Sequence, residues 1–146
     1  MRKVIVDTYA ILSAATDTLT PNAMNCMLEI KTGKARGYIH YLIFYEVMYH
    51  WRRGRLPAFT TEEEIITYLT QSFQDIRLDD RIASEASNVK VFGDKMLADN
   101  VLLHSRRLSA CDATTIVLGK ILQIPIVSGD EDLKYVGEQF GVKVIW

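Results

Sequence analysis

Residues 3–7 read Lys-Val-Ile-Val-Asp, an apolar and β-branched run that ends in a carboxylate. Runs of this kind form strands that are buried on both faces of a parallel sheet. Similar runs recur at 35–40, 124–128 and 142–145, with a weaker one at 73–78. Stretches of helical spacing separate these runs. Because parallel neighbours need a connection of helix size, the pattern predicts an α/β protein with a mainly parallel sheet of four to five strands.

The predicted helices have recognisable start and stop signals. Thr20-Pro21 has the cap-then-proline form of a helix start, and the hydroxyl and glutamate run at 60–64 suits the positive end of a helix dipole. Gly54 and Gly93 are expected to end helices. One helix follows Asp7, one follows Asp130, and the others cover 20–33, 41–53, 60–74, 79–93 and 109–122, with a short helix or loop at 95–103. Helices that alternate with parallel strands predict a three-layer α/β/α sandwich.

Composition limits the class of protein. The chain has 146 residues, 49% of them hydrophobic, so we expect a single domain over residues 1–146. No apolar run approaches the roughly 18 residues of a membrane span, and the start lacks a signal-peptide pattern, which predicts a cytoplasmic protein with no membrane partner. Cys26 and Cys111 give neither a disulfide framework nor a zinc spacing. With a net charge of −1, any binding to nucleic acid must depend on a local surface.

Four acids fall at one predicted edge of the sheet. Asp7 and Asp130 follow strands, and Glu46 and Asp112 lie near the starts of helices at the same edge. An aspartate at a helix start also caps backbone N–H groups, which by itself would explain Asp112 or Asp130. Asp7 differs, because a charge at the end of an apolar strand is costly unless something positive lies beside it.

Clustered carboxylates repel one another and are hard oxygen ligands, which favours a Mg²⁺ or Mn²⁺ site. Such a site suits phosphodiester hydrolysis by an activated water, with no covalent nucleophile. Thr8 and Ser128 are placed to hydrogen-bond the carboxylates or a bound water, although both also suit turns. Asp132 is a further candidate ligand, and a first-turn aspartate without a ligand role is equally well supported.

Two local basic clusters are candidates for contacts with RNA. Arg52 and Arg53 lie at the end of the helix of Glu46, while Arg106 and Arg107 precede the helix of Asp112. Both pairs could follow a phosphate backbone, and solvated helix ends explain them almost as well.

Other side chains near Glu46 have simpler explanations. His50 lies one helical turn after Glu46 and is expected to be a surface histidine, since hard cations prefer oxygen. Tyr41, Tyr45 and Tyr49 recur every four residues. That spacing favours a helix face packed in the core or in a dimer interface over a platform that stacks bases.

Four segments together resemble the PIN domain and, within it, the VapC-type toxins of toxin–antitoxin pairs. The segments are Val4–Thr8 (VIVDT), Tyr45–Val47 (YEV), Leu108–Ile116 (LSACDATTI) and Ile126–Leu133 (IVSGDEDL), so the resemblance spans nearly the whole chain. It implies that Asp7, Glu46, Asp112 and Asp130 form the metal site of a Mg²⁺- or Mn²⁺-dependent endoribonuclease. It also implies a homodimer and a VapB-like antitoxin whose tail enters the acidic cleft. Departures from the family pattern are Ser128, where many relatives have threonine, and the variable stretch 61–74.

Other functions remain open at this stage. A housekeeping RNA-processing nuclease would keep the chemistry, and a catalytically inert binding module would keep only the fold. A receiver domain is disfavoured because the first strand lacks an acid pair, and no glycine-rich nucleotide-binding loop occurs in the sequence.

Overall fold

The sheet has five strands, all parallel. In the computed structural model, which describes residues 1–146, they are β1 (Arg2–Val6), β2 (Ala35–His40), β3 (Gln74–Ile76), β4 (Ile126–Val127) and β5 (Val144–Ile145). Their order across the sheet is β3-β2-β1-β4-β5, and every neighbouring pair is parallel. The α/β class and the parallel sheet predicted from the sequence are confirmed.

Seven helices connect the strands. They are α1 (Thr8–Ala15), α2 (Pro21–Lys31), α3 (Tyr41–Arg52), α4 (Glu62–Ser72), α5 (Asp80–Ala98), α6 (Ala110–Leu122) and α7 (Glu131–Gln139). Helices α5, α6 and α7 pack against one another, whereas α1 packs against α2 and α3. This arrangement fits the predicted α/β/α sandwich. No helix is long and apolar enough to cross a membrane.

The helix starts follow from local sequence. Thr20 accepts a hydrogen bond from the backbone N–H of Ala23 at the start of α2, where Pro21 is the first helical residue. At α4, Thr61 and Glu64 form a reciprocal capping box, in which each side chain accepts from the other residue's backbone N–H. The acidic run at 62–64 therefore belongs to a helix start, as the sequence indicated.

Gly93 does not end a helix, contrary to the sequence prediction. Helix α5 continues to Ala98, and Gly93 is buried within it. A Cβ atom at residue 93 would lie 2.7 Å from Cδ2 of Leu108, a fully buried side chain. The glycine therefore provides room for close packing, and the penalty of glycine in a helix is offset by that packing.

Strand order places a crevice beside the first strand. The chain runs from β1 outward to β2 and β3, and then returns to form β4 and β5 on the other side of β1. Val4, Ile5 and Val6 are completely buried in a core cluster of 31 residues. Ligands of open parallel sheets bind beyond the carboxyl ends of the strands where the order reverses, which here is the boundary between β1 and β4.

Candidate functional site

Asp7 and Ser128 face each other at the carboxyl ends of β1 and β4. Val6 and Val127 are register partners, so the residues that follow them are neighbours. The Ser128 hydroxyl donates a 2.8 Å hydrogen bond to Oδ2 of Asp7, and both side chains are buried. The second oxygen of Asp7, Oδ1, is buried and has no hydrogen-bond partner. A buried carboxylate oxygen without a partner is costly, and this one belongs to a residue at the carboxyl end of β1.

Glu46 is held from the first turn of α1. The Thr8 hydroxyl donates a 2.7 Å hydrogen bond to Oε1 of Glu46, which lies in the second turn of α3. Helices α1 and α3 start at the ends of β1 and β2, which explains how residues 38 positions apart in sequence meet. Thr8 and Ser128 thus make the hydrogen bonds to carboxylates for which the sequence made them candidates.

Asp112 and Asp130 occupy different positions at their helix starts. Asp130 caps α7, since its side chain accepts from the N–H of Leu133 at 2.9 Å. Its own N–H donates to the Ser128 hydroxyl at 3.1 Å, which ties Asp130 to Asp7 through one serine. Asp112 is not a cap. Ser109 caps α6 by accepting from the N–H of Asp112, so the Asp112 carboxylate lies in the first helical turn and is free of that duty.

The four acids lie within one another's electric field. Burial, followed by the charges of Asp130 and Glu46, raises the pKa of Asp7 to about 6, against a lowering by the Ser128 hydrogen bond. Burial, followed by the charges of Asp7 and Asp130, raises the pKa of Asp112 to about 9. Burial and like charge both disfavour the ionised form, so this cluster is poised to accept positive charge.

The four carboxylates are of the ligand type that a divalent cation prefers, but in this structure they do not surround a cation site. All four side chains offer carboxylate oxygens, which hard cations prefer, and Oδ1 of Asp7 lacks any other partner. No group of three or more histidine, cysteine, aspartate or glutamate side chains is arranged closely enough to hold a metal ion. Like charges repel, which favours separation of the carboxylates. The residues therefore fit a cation by type, and their side chains would have to turn inward to ligate it.

Most of the candidate RNA contacts are engaged with protein groups. Arg52 pairs with Glu62 at 2.7 Å, and Arg53 donates to the Tyr49 hydroxyl at 2.9 Å. Arg106 pairs with Asp132 at 3.2 Å, beside the acidic cluster.

The two remaining candidates on that side of the molecule differ in their surroundings. Arg107 is exposed, and its charge acts on Asp94. Asp132 has its carboxylate beside the Arg106 guanidinium, an ion pair that explains the residue without a ligand role. The ion pair favours the structural reading of Asp132 that the sequence left open.

The tyrosines of α3 do not pack in the core. Tyr41, Tyr45 and Tyr49 are exposed and line a surface groove that contains none of the four acids. Of the two alternatives predicted for them, core packing was wrong, and packing in a dimer interface stays a prediction. The four-residue spacing does place them on one face, but α4 covers that face only in part. His50 is partly buried and its ring contacts Arg55 at 2.8 Å, which agrees with a histidine outside the acidic site.

A buried histidine that the sequence did not single out links two of the site helices. His40 caps α3, where its Nδ1 accepts from the N–H of Leu42 at 3.2 Å. Nδ1 is therefore the unprotonated nitrogen, and Nε2–H donates to the Thr115 hydroxyl at 2.8 Å. Thr115 donates in turn to the carbonyl of Cys111, next to Asp112.

Cys111 also belongs to the surroundings of the acids. Its thiol is buried against Glu46, and burial together with the charges of Glu46 and Asp7 raises the pKa of this thiol. The thiol is therefore protonated at neutral pH and unreactive. The sequence had given Cys111 no role, because a lone cysteine carries no spacing signal.

Similarity to known proteins is at the level of the fold. No protein-family model matches the chain. No curated protein matches it either. Among solved structures, the crystal structure of PAE2754 from Pyrobaculum aerophilum is similar, with a TM-score of 0.63 over 98% of this chain and 90% of that chain. The two sequences are 18% identical, so the likeness shows a shared fold.

Proposed function

We propose that this protein is a PIN-like endoribonuclease that hydrolyses RNA phosphodiester bonds with Mg²⁺ or Mn²⁺ held by Asp7, Glu46, Asp112 and Asp130. The observation that carries the proposal is the buried carboxylate of Asp7, whose Oδ1 has no partner although three more acids lie around it. Such a cluster destabilises the folded protein, because each ionised carboxylate raises the free energy of ionising the next.

Under this proposal the four acids bind the cation, and two hydroxyl side chains orient two of the acids. Ser128 and Thr8 hold one oxygen each of Asp7 and Glu46, which leaves the second oxygens available to a ligand. Asp112 lies near the N-terminus of α6, where Ser109 and not Asp112 is the helix cap. A bound divalent cation would supply Lewis acidity toward the phosphodiester and toward the attacking water. No covalent nucleophile is needed: the Ser128 hydroxyl is buried and donates to Asp7, and the Cys111 thiol is buried and protonated.

The biological setting of the proposal rests on the family resemblance of four sequence segments. It includes a toxin role, a VapB-like antitoxin partner, a homodimer and a cytoplasmic location. A housekeeping RNA-processing nuclease would use the same residues. A small neighbouring gene that encodes a DNA-binding antitoxin would separate these two roles.

The proposal is tested by cleavage of a mixed, structured RNA by the purified protein with Mg²⁺ or Mn²⁺, beside an EDTA control. We expect Asp7→Asn to abolish cleavage, because the amide cannot replace the anionic ligand. The matched control is Asp99→Asn, which removes an exposed aspartate at the end of α5 and should cleave as the unaltered protein does.

Two outcomes would contradict the proposal. Full cleavage by Asp7→Asn would mean that the acids are not the active centre. A folded protein that cuts no RNA with either cation would favour the inert binding module, a function in keeping with the separated positions of the carboxylates.

A further inference from the structure

An aromatic pair lies beside Asp7 and Gly129 at the acidic cluster. Tyr9 and Trp146 meet edge to face, with ring centroids 5.3 Å apart and an interplanar angle of 87°. Tyr9 lies in the first turn of α1, directly after Thr8, and Trp146 follows β5. Because β5 lies next to β4, the pair stands at the edge of the sheet that carries the acids.

Two consecutive residues in the first turn of α1 have different contacts. Thr8 points to Glu46 and donates to its carboxylate at 2.7 Å. The Tyr9 ring lies against Gly129 and Trp146, while its backbone N–H donates to Oδ2 of Asp7 at 3.4 Å. Consecutive residues of α1 thus contact Glu46 and the aromatic pair beside Asp7.

Gly129 makes the approach of the two rings possible. A Cβ atom there would lie 2.5 Å from ring atoms of both Tyr9 and Trp146. The glycine does not have a positive φ, so backbone conformation does not require it. Space for the rings does require it, and the rings therefore rest on the short segment between Ser128 and Asp130. A Cβ at this residue would force the pair apart or move the acid beside it.

The Tyr9 ring is open to solvent although it lies against a packed segment. Tyr9 retains 45% of its surface exposed, while Trp146 is partly buried against the core. A ring that is fixed on one side and open on the other is the form of a stacking platform for bases. Electrostatic capture of RNA is weak at this edge, since the acids are negative and Arg106 is paired with Asp132. Stacking on an uncharged ring does not depend on that field.

We infer that Tyr9, supported by Trp146 and Gly129, forms a subsite that stacks an unpaired nucleobase next to the phosphodiester at the acidic cluster. The inference rests on the proposed ribonuclease function and deepens it, because it names the side chains that would contact a base beside the cleaved bond. A base inside a duplex has no free face to offer such a platform, so double-stranded RNA is excluded from the subsite.

The test compares Tyr9→Leu with Tyr9→Phe, which keeps the ring, in an Asp112→Asn background that prevents turnover. The chain has two tryptophans, Trp51 and Trp146. In a Trp51→Phe variant all tryptophan fluorescence comes from Trp146 and reports on the subsite. The probe is a short single-stranded RNA of mixed sequence in Mg²⁺, beside the same sequence as a duplex. We expect the single strand to quench Trp146, and Tyr9→Leu to weaken its binding by ~5- to 100-fold while Tyr9→Phe changes it little.

Steady-state kinetics of the protein with Asp112 intact provide a second measurement. It would not change if Tyr9 served only to stabilise the fold. Tyr9→Leu should raise KM for single-stranded RNA with little change in kcat, and its melting temperature should match that of Tyr9→Phe. Equal binding of the single strand by Tyr9→Leu and Tyr9→Phe would overturn the inference and leave the nuclease intact. Equal binding of duplex and single strand would also overturn it. Absence of both binding and metal-dependent cleavage would remove the proposed function, and the inference with it.

Discussion

Asp112 shows how neighbouring carboxylates and burial raise the free energy of ionising an acid. In the folded protein, burial and the charges of Asp7 and Asp130 raise the pKa of Asp112 to about 9, whereas its ordinary value is 3.8. Between these two values the folded chain holds a proton that the unfolded chain has released. Without a bound cation, the free energy of unfolding therefore falls as the pH rises from about 4 to about 9. Below about pH 4 the carboxyl of Asp112 is protonated in both states and has no such effect.

Asp112→Asn should accordingly stabilise the protein in EDTA at about pH 8, by on the order of 2 kcal/mol. The gain should shrink as pH is lowered toward 4, where the carboxyl is protonated in both states. Urea unfolding at both pH values measures the effect, with Asp99→Asn as the exposed control. A loss of stability at pH 8 would show that the Asp112 carboxylate is stabilised by contacts within the protein, against our reading of the cluster.

Residue contacts at the site could be predicted where strands set them. Parallel strands bring their carboxyl ends to one edge, so the meeting of Asp7 with Ser128 and of Thr8 with Glu46 follows from where the strands end. The bond between His40 and Thr115 could not be predicted. It joins residues 75 positions apart, and neither strand periodicity nor helix spacing records which helix lies over which.

At the scale of elements, His40 couples the start of α3 to α6. Its ring accepts from the Leu42 N–H and donates to Thr115, so both nitrogens are used only when the ring is neutral. Burial lowers the pKa of His40 to about 4 from its ordinary value of 6.5. As pH falls from 6.5 toward 4, the unfolded chain takes up a proton that the folded chain refuses, and stability is lost.

His40→Asn should remove this acid-sensitive contribution, because asparagine can cap α3 and does not titrate. We expect the unaltered protein to lose about 1–3 kcal/mol more than the variant between pH 6.5 and 4.5. The variant should be less stable at neutral pH, since the bond to Thr115 is gone. Comparison by urea unfolding, with exposed His104→Asn as the control, isolates the histidine from the carboxylates that titrate in the same range. Identical pH profiles for His40→Asn and the unaltered protein would show that His40 does not couple the helices.

Element boundaries were predictable where capping chemistry sets them and not where packing does. The starts of α2 and α4 follow from threonine caps that the sequence displays. The end of α5 does not, because Gly93 resembles a stop signal and serves instead to admit Leu108. Core packing of the α3 tyrosines was wrongly predicted for a related reason. Their spacing defines a face of the helix, but spacing alone cannot say whether a neighbour covers that face.

Across the whole molecule, charge is distributed unevenly although the net charge is only −1. Four acids lie at one edge of the sheet, and Arg106 on that side of the molecule is paired with Asp132. A cation bound at that edge would stabilise the folded protein, because it would relieve the repulsion between these carboxylates. Cation binding and fold stability should therefore be linked through the same carboxylates.

Titration of the protein with Mn²⁺, followed by the electron paramagnetic resonance signal of the free ion, tests this link without dependence on any RNA. We predict that the unaltered protein and Asp99→Asn remove Mn²⁺ from solution with equal affinity, and that Asp7→Asn binds it about 100-fold or more weakly. Equal binding by all three proteins, or no binding by the unaltered protein, would contradict a cation site at the end of β1.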